Sequence, residues 1–193
     1  MLNVKDLHEK IVKDAYNYEF KEGTFDTVPE TDEYYLEVWK EKHHSRGAFY
    51  HYLSCMARHL KPKAIVEIGA DKGCSALAFN SEQPKDGKVY SCDTREDGWE
   101  YVPKTNKRII KVIGNSLDVK WPIDLQGAKL WLIDGGHCDT QVIKEITRYQ
   151  PFWKDAVIIF DDVKDYPGAW EKVPGDKYLD EAFRSRWLGV ACV

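Results

Sequence analysis

The sequence predicts an α/β fold: a single-domain, doubly wound, mostly parallel sheet with helices on both faces. Three observations predict it. Short apolar runs rich in β-branched residues alternate with stretches of helical periodicity, the order that builds a parallel sheet. Two of these runs, Leu130 to Ile133 and Ala156 to Phe160, are apolar throughout, as strands covered on both faces are. Both then end abruptly in carboxylate, at Asp134 and at Asp161-Asp162, and strand ends are where an open parallel sheet places its chemistry.

The elements follow in chain order. Val4 to Tyr18 has helical periodicity and Gly23 to Pro29 breaks it, so residues 1–44, polar and aromatic-rich, form an N-terminal helical cap segment ahead of a core over 45–193. Arg46 to Leu60 repeats apolar residues at Phe49, Leu53, Met56 and Leu60 and stops before Pro62, which predicts a helix. Lys63 to Gly69 is the first strand, and Ser75 to Asn80 opens the helix after it. Lys88 to Asp93 is the second strand, entered from the turn signal Lys85-Asp86-Gly87. Arg108 to Ile113 is the third, closed by Gly114-Asn115-Ser116, and Lys129 to Asp134 the fourth. Thr140 to Tyr149 sets Val142, Ile143 and Ile146 at helical spacing and leads through Pro151 to a fifth strand, Ala156 to Asp161. Asp165 to Gly175, with two prolines, two glycines and an exposed-looking Trp170, is expected to be a long loop, either a lid over the strand ends or a surface connection. Tyr178 to Arg186 is expected to be helical, and Trp187 to Val193 a last strand.

Bulk properties exclude several classes. A chain of 193 residues holds one ordinary domain, and 43% hydrophobic content with 13% aromatics is globular. A formal charge of −4 gives no reason to expect a nucleic-acid backbone as partner. No signal peptide opens the sequence and no run is long and apolar enough to span a membrane, so a cytoplasmic protein is expected. Five cysteines without a CxxC pair argue against a disulfide framework or a zinc knuckle. Six histidines offer no HxxxH or HExxH spacing, so zinc catalysis is not expected either.

The link between first strand and helix, Glu67-Ile-Gly-Ala-Asp-Lys-Gly73, carries the strongest ligand signal. Glycine at 69 and 73 permits a tight turn and leaves room for a ligand against the backbone. A dinucleotide fingerprint needs a middle glycine where this chain has Ala70, and a Walker loop needs Gly-Lys-Ser or Gly-Lys-Thr where it has Gly73-Cys74-Ser75. What remains is a glycine loop followed twenty residues later by Asp93 at the end of the second strand, a position from which a carboxylate holds two ribose hydroxyls.

This arrangement resembles the class I S-adenosylmethionine-dependent methyltransferases, which are Rossmann-like. The resemblance implies Asp93 on the ribose, Gly69, Ala70 and Gly73 beneath the methionyl portion, Ser75 among the cofactor-binding residues, Glu67 ordering the loop, and Asn115 and Ser116 near the adenine. Asp134 completes that set in order. Glu67 and Asp93 each retain a purely structural alternative, as a buried strand acid and a turn former.

A narrower resemblance rests on Asp134 and Asp161-Asp162, twenty-seven residues apart across one helix. Metal-dependent small-molecule O-methyltransferases of the catechol and macrolide or aminocoumarin sugar types carry an acid after the fourth strand and an acid pair after the fifth. The Ile133-Asp-Gly-Gly-His137 stretch looks like the Ile-Asp-Gly-x-His branch that includes cephalosporin hydroxylase-like and mycinamicin-type sugar methyltransferases. The similarity covers roughly residues 45 to 163. It implies Mg²⁺ at Asp134, Asp161 and Asp162, with Asp134 or His137 receiving the acceptor's proton. Alternatives stay open: His137 as a helix cap or cofactor contact, and the aspartate pair as a turn or helix cap.

The expected function is therefore Mg²⁺-assisted O-methylation of a hydroxylated small molecule, such as a sugar or vicinal diol. The rivals are a Rossmann-like NAD or sugar-nucleotide enzyme and a cofactor-binding protein without transfer activity. A nucleic-acid methyltransferase is disfavoured, since no Asn/Asp-Pro-Pro-Tyr/Phe motif or basic stripe is present. Tyr34, Tyr35, Trp39, His43, His44, Tyr166 and Trp170 are candidate linings of the acceptor pocket, and a homodimer that completes that pocket is compatible with the short tail.

Overall fold

Alternation of side chains along each strand divides this protein's apolar residues into two cores, one on either face of a single sheet. In the computed structural model, residues 3–21, 24–25, 27–28, 45–136, 138–183 and 187–193 are described, with backbone only for 45–47. The strands are β1 (Ala64–Ile68), β2 (Lys88–Asp93), β3 (Ile109–Ile113), β4 (Leu130–Ile133), β5 (Val157–Phe160), β6 (Asp176–Asp180) and β7 (Leu188–Cys192). Their order is β3-β2-β1-β4-β5-β7-β6. The first five are parallel to one another, while β7 runs antiparallel to both β5 and β6. The expected doubly wound, mostly parallel architecture is therefore present.

Among the described residues, five helices cover the sheet: α1 (Val4–Asn17), α2 (Ser45–Leu60), α3 (Cys74–Glu82), α4 (Asp139–Tyr149) and α5 (Pro167–Lys172). On one face, Ile65, Val89, Leu132 and Ile159 pack under Leu7 and Ile11 of α1, Leu53 and Met56 of α2 and Leu77 of α3. On the other, Val66, Trp131, Ile158 and Phe160 pack under Val142 and Ile146 of α4 and Ala169 and Trp170 of α5. Neighbouring strand residues such as Ile65 and Val66 thus serve opposite cores, as the period of two requires. The apolar face of α1 (Val4, Leu7, Ile11, Ala15) is buried in the same core as the sheet, and the Val4 N–H donates to Asp176 Oδ2 on β6 at 3.1 Å.

Two expectations are corrected. Tyr178 lies in a strand, β6, and residues 181–183 form a turn, so the helix expected over Tyr178 to Arg186 is absent from its described part. Pairing with β7 decides this, sending Tyr178 toward one core and Leu179 toward the other, and such tertiary packing overrides local propensity. The Asp165 to Gly175 segment holds α5, with Pro167 in its first turn where proline costs no hydrogen bond. Trp170 is 8% exposed, with its ring 5.8 Å from that of Phe160. The segment is docked through its tryptophan and is not a free lid.

Candidate active site

The backbone ladder continues one rung beyond each strand, which sets the strand ends level. Gly69 N–H donates to the Cys92 carbonyl at 2.9 Å, Gly114 to Asp93 at 2.8 Å, Asp134 to Ile68 at 2.9 Å and Asp161 to Ile133 at 3.1 Å. In this strand order the crossovers turn opposite ways from β1 and β4, so a crevice opens at the carboxyl ends of the sheet. A cleft of about 700 Å³ lies there, within the usual size of cofactor sites. Of the residues singled out from sequence, Gly69, Ala70, Ser75, Asp93, Asn115, Ser116, Asp134, Asp161 and Asp162 all line it. Glu67 and Gly73 lie beneath its wall, and His137, like Tyr34, Tyr35, Trp39, His43 and His44, falls outside the described residues.

Glu67 is fully buried in β1. It accepts the hydroxyl of Ser91 on β2, with Ser75 at the start of α3 close by, and Trp99 Nε1 donates to the same Ser91 oxygen at 2.7 Å. Burial pushes its carboxyl from 4.5 up to about 7, opposed by the nearby serine hydroxyls and reinforced by the charge of Asp93. Glu67 therefore braces β1 against β2 below the loop.

The glycines serve the chain itself more than a ligand. Gly69 has φ +95°, and a Cβ there would meet the Asp134 carbonyl oxygen at 2.2 Å. Gly73 has φ +87°, and its Cβ would meet Val102 Cγ2 at 2.6 Å. The direction a side chain would take at both is filled by backbone or side chain, while Gly69 also lines the cleft. The loop is strapped by the following segment, with Trp99 N–H donating to Asp71 at 2.8 Å and Tyr101 N–H to Lys72 at 3.1 Å.

Asp93 closes the loop from the β2 side. Its Oδ2 accepts the N–H groups of Ala70 at 3.1 Å and Asp71 at 3.0 Å, and its Oδ1 that of Arg95 at 2.9 Å. An ionised carboxylate has about four acceptor positions, so Asp93 orders the loop and keeps capacity for a ligand hydroxyl. Asn115 uses its side-chain oxygen to accept the Leu117 N–H at 2.9 Å, shaping the turn after β3. Ser116 Oγ donates to Glu145 Oε1 at 2.5 Å, and Gln141 Nε2 donates to the same carboxylate oxygen at 3.3 Å.

Glu145, Gln141, Phe49, Tyr50 and Lys72 line the cleft without having been singled out. Glu145 had a signal. It shares the buried stripe of α4 with Val142, Ile146 and Tyr149, and a carboxylate on an apolar helix face points to a polar partner or a site. Phe49 and Tyr50 had none beyond helical periodicity.

At the other end, Asp134, Asp161 and Asp162 each offer a carboxylate oxygen, all within 4.8 Å of one another. Asp161 is buried, Asp162 half-buried and Asp134 exposed. Neither Asp161 nor Asp162 caps α5, whose N-cap is Tyr166. The turn after β5 is closed by the Asp162 backbone carbonyl, which accepts the N–H groups of Asp165 at 2.9 Å and Tyr166 at 3.2 Å. An all-oxygen, triply acidic donor set suits a hard divalent cation.

A family described as a methyltransferase domain matches residues 66–163, from β1 to just past the aspartate pair. The chain belongs to this methyltransferase family. Solved structures agree on the fold. The methyltransferase superposes on the O-methyltransferase from Bacillus cereus in complex with SAH with a TM-score of 0.62 and 13% identity, covering 97% of each chain. For the SAH-bound Podospora anserina methyltransferase PaMTH1 the score is 0.61 at 15% identity, over 100% of this chain and 97% of that one. A methyltransferase from Geobacter sulfurreducens matches at 0.55 and 15% identity over 75% of this chain and 77% of that one. No curated protein matches the sequence significantly. The family is that of the methyltransferase domain, and the fold is shared with solved methyltransferases that hold SAH. No helix among the described residues is long and apolar enough to cross a membrane.

Proposed function

We propose that this methyltransferase binds S-adenosylmethionine and Mg²⁺ and methylates a hydroxyl oxygen of a small molecule, a sugar or vicinal diol. The observation that carries the reading is the convergence of Asp134, Asp161 and Asp162 in the same cleft as Gly69, Ala70 and Asp93. When bound, the donor supplies an electrophilic methyl group on a sulfonium and the ion supplies Lewis acidity at the acceptor oxygens.

The protein's own part is positioning and proton transfer. Asp93 and the Gly69–Gly73 loop hold the ribose and methionyl parts, and the Ser116 and Glu145 pair borders the base. Asp134, Asp161 and Asp162 hold the ion and orient the acceptor for in-line attack. As the new oxygen–carbon bond forms and the sulfur–carbon bond breaks, the hydroxyl proton passes to Asp134 or to His137. Six acidic groups line the cleft against Lys72 and Arg95, which favours a neutral polyol over a phosphorylated acceptor.

The test is transfer of a labelled methyl group to a panel of sugars, catechols and other diols. Activity that is lost on chelation, restored by Mg²⁺ and absent in Asp161→Ala is expected. Transfer that survives both chelation and Asp161→Ala would overturn the metal's role. Calorimetric binding of NAD in place of S-adenosylhomocysteine would overturn the reading altogether.

A further inference from the structure

The three carboxylates follow two neighbouring strands, and beyond the ladder that joins those strands a side chain ties together the helices that come after them. Asp134 follows β4 and leads into α4, while Asp161 and Asp162 follow β5 and lead into α5. Asp139, the first residue of α4, accepts the Ala169 N–H of α5 on its Oδ1 at 2.8 Å. Its other oxygen is closely packed, since a Cβ on Gly168 would lie 2.6 Å from Asp139 Oδ2. The aspartate pair needs such support. Asp162 has φ +58°, a left-handed conformation that aspartate adopts more readily than most side chains and that local hydrogen bonds hold in place. Its carbonyl is bonded to Asp165 and Tyr166, the residues that lead into α5. α5 thus holds the turn that carries Asp161 and Asp162, and Asp139 fastens α5 to the limb that carries Asp134.

We infer that Asp139 is a positioning residue that sets the spacing of Asp134 against Asp161 and Asp162 through its bond to the Ala169 N–H. The inference rests on the metal reading proposed above. It concerns binding of the ion and not the chemistry of transfer, so it is tested without turnover.

The experiment is calorimetric titration of Mg²⁺ into the full chain in the presence of S-adenosylhomocysteine, with S-adenosylhomocysteine affinity measured separately. Asp139→Ala is expected to weaken Mg²⁺ binding severalfold and to leave S-adenosylhomocysteine affinity nearly unchanged. Asp139→Asn keeps an acceptor oxygen and is expected to recover most of the Mg²⁺ affinity. Gly168→Ala pushes against the same carboxylate and is expected to behave like Asp139→Ala, so it carries the test if Asp139→Ala fails to fold. Unchanged Mg²⁺ affinity in these variants overturns the inference alone, as does an equal fall in Asp139→Asn and Asp139→Ala or a parallel loss of both ligands. A wild-type protein that binds S-adenosylhomocysteine but no Mg²⁺ overturns the metal reading and the inference with it.

Discussion

Glu67→Gln isolates the cost of a buried carboxylate at the base of the site. In the folded protein burial raises the Glu67 carboxyl from 4.5 to about 7. The folded state therefore binds this proton more tightly than the unfolded chain between those two values, and stability falls as pH rises through that window, levelling off above it. At roughly 1.4 kcal/mol for each tenfold change in proton affinity, the full penalty is about 3 kcal/mol. Part of it is already felt at pH 5, so the change between pH 5 and pH 8 is roughly 2–3 kcal/mol. Glutamine keeps the shape and the oxygen that accepts from Ser91 but carries no charge, so it imitates the protonated acid. Urea unfolding of both proteins at pH 5 and pH 8 separates this term from all other titrations, which cancel in the difference. Glu67→Gln should gain roughly 2–3 kcal/mol on the wild type between the two conditions. A difference that stays constant from pH 5 to pH 8 would refute the reasoning, because it would mean that Glu67 is ionised at both.

Two more predictions concern stability. Gly69→Ala forces a side chain into a left-handed backbone and against the Asp134 carbonyl; a loss of roughly 3 kcal/mol or more is expected in urea unfolding, with weaker S-adenosylhomocysteine binding, and an unchanged midpoint would contradict the packing described. His8 is 1% exposed, between Tyr52 Oη at 3.1 Å and Asp180 Oδ2 at 2.8 Å. Burial lowers its pKa from 6.5 against the opposing pull of Asp180, so its contribution is complete above the unfolded value and is lost as pH falls through the folded one. NMR titration, with His8 assigned by substitution, should give a midpoint below 6.5; one above it would mean that the Asp180 ion pair outweighs burial.

The legible parts of this protein were those set by short-range pattern. Fully apolar runs marked β4 and β5 because strands covered on both faces carry no polar residue, and glycine at 69 and 73 marked a turn because φ near +90° excludes a Cβ. The three aspartates were legible for a related reason: carboxylate directly after a buried strand has few places to go except the sheet's open end. The residues that escaped notice belong to pairings between distant segments. Tyr178 and Leu179 read as helical until β7 lies beside them, and Trp170 reads as exposed until Phe160 and Gly189 form its pocket. Glu145 acquires its meaning from Ser116, twenty-nine residues away. Sequence alone determined the parallel sheet, the glycine loop and the acids that tip its strands, since each follows from the conformational or solvation preference of a few adjacent residues. Only the tertiary structure decided what fills the space beside the glycines, that Asp93 first orders the loop, and that Asp139 joins the two limbs of the acidic site, because these depend on which strand ends stand level in space.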